Sequence, residues 1–277
     1  MDLKWTARNW LPPVAWRLLG RLAGKSVRWA GDYPDWTSAS SASEGYASDA
    51  ILERVARAAR RVRSGEAAFE RDSVAFARVV HSYPVLAAML RTACRFGGTL
   101  SVLDFGGSLG SSYFQCRRFF PPALPVSWGV VEQPHFAKLG REEFESDQLK
   151  FFSSIESCKA KLRPNIVLCS STLQYVERPV ELLAALGSVG ADCIAIDRTP
   201  MWARGEDRLV VQRVPRSIYQ ASYPCWIFSE ERLLKAIPAG YEVLDCFDGL
   251  DGTHFVGLRA FSFRGMILQK IDADRRS

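Results

Sequence analysis

The 277-residue chain has no two cysteines spaced C-x-x-C, only three histidines, and no apolar run approaching about 18 residues. Its seven cysteines, at 94, 116, 158, 169, 193, 225 and 246, therefore offer no zinc knuckle or redox dithiol. Cys169 and Cys193 fall inside apolar runs, where a thiol serves as a small buried hydrophobe, so a reducing compartment fits. The missing apolar run argues against a membrane-spanning helix. The chain also lacks G-x-x-x-x-G-K-[ST], which disfavours a nucleoside triphosphatase, and H-E-x-x-H or any Cys/His cluster, so no metal is expected.

What is present is a net charge of +6, unevenly placed. Residues 1–31 hold Lys4, Arg8, Arg17, Arg21, Lys25 and Arg28 against Asp2, with Trp5, Trp10, Trp16 and Trp29 interleaved. Such a mixture suits an anionic membrane surface or a partner, or an arm packed on its own domain. Pro12-Pro13 and the arginines interrupt the apolar residues there and argue against a secretory signal. Between Ala47 and Val80 the composition is helical, with Ile51, Leu52, Val55 and Ala59 at helical spacing and Arg54, Arg57, Arg60, Arg61 and Arg63 at the other positions. Glu53, Glu66, Glu70 and Asp72 offset those arginines, and no nucleic-acid module accompanies them, so a solvated helix face is expected and nucleic acid is not.

From residue 100 strands and helices alternate. Candidate strands are Leu100 to Phe105, Val126 to Glu132, Leu149 to Phe152, Asn165 to Cys169, Asp192 to Asp197, Tyr241 to Cys246 and Phe255 to Phe263. Helical patterns fall at about 110–119, 135–145 and 178–187, and from Phe228 to Ile237. Alternation of this kind predicts an α/β fold, a mostly parallel sheet of seven strands covered on both faces. The segment Asp248 to Gly252 reads as the turn closing an antiparallel edge pair. The organisation expected is a basic arm and helical extension over 1–98, then one core over 99–277. That core carries an unusually long connection at about 199–229, where Arg208 to Val214 alternates like a short strand.

The segment Ser101 to Ser112 carries the chemistry: a strand, a glycine turn with Gly106, Gly107 and Gly110, and a helix, with Asp104 at the crossover. Glycines there let the backbone approach a ligand, and ligands of open α/β sheets bind at this edge. Glu132 lies where the next strand ends and can accept from ribose hydroxyls. Ser108 stands where a strict G-x-G-x-x-G has its middle glycine. A carboxylate so close to the turn would repel a pyrophosphate and suits a sulfonium or aminoacyl cation, which favours S-adenosylmethionine over NAD as cofactor.

Asp104, Gly106 and Gly110 resemble motif I of the class I S-adenosylmethionine-dependent methyltransferases, with Ser108 a departure. A longer series looks like a small bacterial family associated with surface-polysaccharide and glycan biosynthesis: Asp104 to Tyr113, Val130 to Phe136, Ser170 to Val176, Ile196 to Pro200 and Ala221 to Ser229. The resemblance spans about residues 30 to 264. It implies a Rossmann-like class I methyltransferase fold with an antiparallel C-terminal edge strand, and O-methylation of a sugar or glycan intermediate, lipid-linked or free. It also implies a cytoplasmic enzyme, with the arm as its route to the inner face of the membrane. Two alternatives stay open, an inactive methyltransferase-like scaffold and an NAD-dependent oxidoreductase.

In this setting Asp104, Gly106, Gly107, Ser108, Gly110, Glu132, Ser153 and Ser170 are the expected cofactor contacts. Ser153 ends the third strand where relatives place an acid against adenine. Methyl transfer to a hydroxyl needs alignment and a base for the proton. Asp197 at the end of an apolar run, His135 and Tyr175 are the candidates. Asp197 is expected to pair with Arg198, which could instead hold an anion. Arg198, Tyr219, Tyr223 and His254 are the expected acceptor contacts. The insertion's aromatics and arginines, among them Arg204, Arg208, Arg213 and Arg216, suit an anionic glycan. His81 reads as structural.

Overall fold

In the computed structural model, residues 27–44, 49–71, 74–77, 79–215 and 221–272 are described. Most of the basic arm and Tyr219 and Arg216 of the insertion lie outside them. The central strands are β4 (Leu100–Phe105), β5 (Val126–Val131), β6 (Leu149–Phe152), β7 (Ile166–Ser170) and β8 (Cys193–Trp202). They run in parallel in the order β6-β5-β4-β7-β8. They are apolar on both faces because helices cover both. Helices α2 (Asp49–Arg63), α3 (Tyr83–Arg95), α4 (Ser111–Cys116) and α5 (Pro134–Glu143) give Val55, Met89, Tyr113 and Phe136 to one core. On the other face α6 (Ile155–Leu162), α7 (Pro179–Ser188) and α8 (Glu230–Lys235) give Cys158, Leu183 and Leu233 to a second.

The edge beyond β8 is a long hairpin of β11 (Tyr241–Val256) and β12 (Arg259–Lys270), with β12 antiparallel to β8. The resulting order, with an antiparallel strand between β8 and β11, is the Rossmann-like class I methyltransferase arrangement. Two expectations are corrected here. The hairpin turns at Gly257-Leu258, whereas Asp248 to Gly252 lies within β11, where a register shift between Asp248 and Thr253 absorbs the glycines. Strands β2 (Phe69–Arg71) and β3 (Val74–Phe76) pair antiparallel in place of continued helix.

Among the described residues the sheet has ten strands, three beyond the seven of the predicted core. The added ones are β9 (Arg208–Val214), on the residues whose alternation already reads as a short strand, β10 (Ala221–Ser229), also from the insertion, and β1 (Arg28–Tyr33), which pairs antiparallel with β9. Strand β10 pairs with Met201 and Trp202 of β8. Since β12 occupies the other edge at Met201, β10 must take the edge that β7 leaves when it ends at Ser170. The three added strands thus continue past the carboxyl end of the central sheet, and α1 (Trp36–Ser41) packs on them. Among the described residues no helix is long and apolar enough to cross a membrane, and none of the seven cysteines is in a disulfide.

Candidate functional site

A cavity of about 1210 Å³ opens at the carboxyl ends of β4, β5 and β7. The chain leaves β4 for β5 and β6 on one side and returns to β7 and β8 on the other, so the cavity sits at the topological switch point. The backbone marks the same place. Four described non-glycine residues have positive φ, and three of them, Ser108 (56°), Ser171 (56°) and Arg198 (52°), line the cavity. Left-handed backbone at residues with a Cβ is costly and concentrates at functional sites.

The turn after β4 is built by close approach. A Cβ on Gly107 would lie 2.4 Å from Asp104 Oδ2, and one on Gly106, whose φ is 73°, 2.3 Å from Thr172 Oγ1. The turn therefore packs directly onto Asp104 and onto the loop after β7. Glu132, from the end of β5, reaches across to it: Ser108 N–H donates to Oε1 (3.2 Å) and Gln133 N–H to Oε2 (2.8 Å). Burial raises the Glu132 pKa, and the two backbone donors oppose the shift. Each carboxylate oxygen keeps acceptor capacity toward the cavity, which Glu132 lines.

Asp104 is placed differently from expectation. It lies beneath the turn, 1% exposed and off the cavity wall. Oδ2 accepts from Trp128 Nε1 (3.0 Å), and Oδ1 has no partner. Burial pushes its pKa up to about 7, the Trp128 bond opposes this, and the nearby Glu132 charge adds to it. A carboxyl raised in the folded state binds its proton there more tightly than in the unfolded chain, so it stabilises most at acid pH. That contribution is lost as pH rises from about 4 through about 7, a total near 4 kcal/mol for a shift of this size. Asp104→Asn keeps an acceptor for Trp128. It is expected to raise the melting temperature at pH 8 and leave it nearly unchanged at pH 4, as followed by circular dichroism.

Asp197 ends the part of β8 that faces β7. It is 4% exposed, Oδ1 has no partner, and Oδ2 accepts from Ser170 Oγ (3.4 Å). Burial raises its pKa; the Arg198 charge and backbone N–H oppose the shift. Asp197 itself is not on the wall, but Ser170 is. The expected pair of Asp197 with Arg198 is replaced: Arg198 Nε donates to Asp251 Oδ2 at 2.9 Å. Its reason is a bulge, because β8 places Ile196 to Thr199 against Met266 to Arg264, one residue too many, and Arg198 turns left-handed.

Of the other expected residues, Gly106, Gly107, Ser108, Ser153, Ser170, Tyr175, Arg198, Tyr223 and His254 line the cavity. His135 does not; it sits in the first turn of α5 with its ring against Phe136. His254 lies in strand β11, where its Nε2 contacts Asp251 O (2.8 Å) and its ring meets Trp29. Ser154, beside Ser153, is spent on the α6 N-cap, accepting from Ser157 N–H. Gly110 is the left-handed cap of α4 and packs on Leu149, away from the wall. The insertion's arginines do not converge: Arg208 pairs with Asp32, and Arg204 and Arg213 are exposed. Residues that sequence reasoning missed are Gln212, Thr172, Trp36, Glu70, Asp251 and Phe263, all on the wall. Among the described residues no cluster of His, Cys, Asp or Glu could hold a metal ion.

No protein-family model matches the chain, and no curated protein matches it. Solved structures do resemble it. One is the N-terminal domain of EvdMO1 in the presence of SAH and D-fucose, at 19% identity, covering 81% of this chain and 98% of that one, with a TM-score of 0.45. Another is CalS10, an amino pentose methyltransferase from Micromonospora echinaspora, at 14% identity, 78% and 96% coverage and a TM-score of 0.45. A third is an S-adenosylmethionine-dependent methyltransferase from Clostridium acetobutylicum, at 10% identity, 70% and 93% coverage and a TM-score of 0.44. Likeness at this level assigns no activity.

Proposed function

We propose that the protein binds S-adenosylmethionine and transfers its methyl group to a hydroxyl of a sugar or glycan intermediate. The observation that carries the reading is the Glu132 clasp. The Ser108 N–H, which a dinucleotide site would offer to a pyrophosphate, is given to a carboxylate. A phosphate at that turn would meet the Glu132 charge, whereas a cationic cofactor with ribose hydroxyls would be attracted by it.

When bound, the cofactor supplies a methyl group already activated on a sulfonium. Glu132 would hold the ribose hydroxyls, the turn from Gly106 to Ser108 would support the aminoacyl part, and Ser153 would meet the adenine amine. Ser170 receives the acceptor's proton and passes its own to Asp197 Oδ2. Tyr175, Tyr223 and His254 orient the acceptor. The aromatic wall around these residues supports a ring acceptor.

Calorimetric titration with S-adenosylmethionine, S-adenosylhomocysteine and NADH tests the reading. Saturable binding of the first two and none of NADH is the expected outcome. Binding of NADH alone would make the protein a dehydrogenase, and no binding of any of them by folded protein would leave a scaffold.

A further inference from the structure

The part of the cavity walled by β1, β9 and β10 contains a feature that a buried packing role alone does not require. Gln212 of β9 is 7% exposed, and its amide is shared among three elements. Oε1 accepts from Trp29 Nε1 of β1 (3.0 Å) and from Tyr175 OH of the turn after β7 (3.0 Å), while Nε2 donates to Tyr223 OH of β10 (3.3 Å). All three partners line the cavity, and so does Gln212. The Tyr175 and Tyr223 rings meet edge to face, 5.2 Å apart at 90°. His254 sits 4.7 Å from the Trp29 ring and 5.4 Å from Phe263. One amide thus fixes the mutual angle of three aromatic side chains that come from distant parts of the sequence. Aromatic surfaces with hydroxyls at fixed positions suit a ring that has an apolar face and a polar rim.

The charge on the wall narrows the ligand. Arg198 is the only cationic side chain among the described residues lining the cavity, and its Nε is held by Asp251. A phosphate or carboxylate would find on the described wall no cation other than this one, which a carboxylate already holds.

We infer that this half of the cavity is a subsite for a hydroxylated ring bearing no phosphate or carboxylate, and that Gln212 is the positioning residue that sets its shape. The inference rests on the methyltransferase reading only in naming that ring the acceptor. It also turns the expected anionic acceptor into a non-anionic one.

The test uses the full-length protein saturated with S-adenosylhomocysteine, whose binding is checked first. Saturation-transfer NMR then compares methyl hexopyranosides with hexose phosphates and hexuronates. The expected result is transfer to uncharged glycosides, and an affinity at least about tenfold weaker for the anionic sugars. Gln212→Leu is expected to weaken glycoside binding about tenfold, with the S-adenosylhomocysteine affinity kept within about twofold. Tyr223→Phe, which removes one hydroxyl and no volume from the ring, is expected to weaken it about threefold and guards against a Gln212 variant that fails to fold. Tighter binding of the anionic sugars, no glycoside binding by protein that holds S-adenosylhomocysteine, or unchanged affinity in both variants would overturn the inference. Absence of S-adenosylhomocysteine binding at the first step would instead strike the cofactor assignment.

Discussion

Replacing Glu132 with alanine is expected to weaken S-adenosylmethionine binding about 100-fold in a calorimetric titration. Two bonds from ribose hydroxyls to a carboxylate would be lost, each worth about 1.5–3 kcal/mol, so a total near 3 kcal/mol is conservative. The side chain also fastens the glycine turn through Ser108 N–H, and its loss frees that turn. Glu132→Gln separates the two effects. It can keep an acceptor oxygen for Ser108 N–H, but its amide NH2 would face the Gln133 N–H that the second oxygen now accepts. An intermediate loss is expected. Undiminished binding in the alanine variant would remove the observation on which the functional reading rests.

Asp197→Asn is expected to lower turnover about 10²–10³-fold with little change in S-adenosylhomocysteine affinity. Turnover is followed as S-adenosylhomocysteine release with the best-bound glycoside as acceptor. The carboxyl acts through Ser170, so the decisive readout is the pH profile. Burial raises its pKa, and the ionised form is the one that takes the proton. The wild-type rate should therefore rise with pH through a value above the ordinary carboxylate range, and Asp197→Asn should abolish that rise. Ser170→Ala should lower the rate comparably. A variant that is slower but keeps the wild-type profile would reduce Asp197 to a structural group beneath the loop.

The central sheet was largely legible because its strands are mostly apolar and alternate with helical patterns, with Gly106 after β4 and Pro134 after β5 marking their ends. Strands β4 and β6 fall on the residues their patterns predict, Leu100–Phe105 and Leu149–Phe152. The turn at Asp248 to Gly252 was misread for a physical reason: two glycines in an acidic segment serve a bulged strand as well as they serve a reversal. The site divides in the same way. Glu132 was visible because its strand and turn are local. Gln212 was not, since a polar residue in an alternating strand looks like one facing solvent, and its partner Trp29 lies 183 residues away. The helix α6 was missed because its sequence, IESCKAKL, has weak amphipathic contrast. Asp104 was read as facing the ligand because sequence gives the order of carboxylate and turn, while the 2.4 Å approach of a notional Gly107 Cβ shows which of them lies beneath.

The pairing of β1 with β9 joins Arg28 to Arg213 and Trp29 to Gln212 across most of the chain. During synthesis the first strand leaves the ribosome long before its partner exists, whereas β4, β5 and β6 pair within about fifty residues of one another. The two halves of the cavity therefore have different histories: the glycine turn and Glu132 can be assembled while residues 27–33 still have no neighbour. In pulse-labelled hydrogen exchange, the amides of β4 are expected to gain protection before those of β1. The last step of folding would then be the one that completes the aromatic half of the cavity around Gln212.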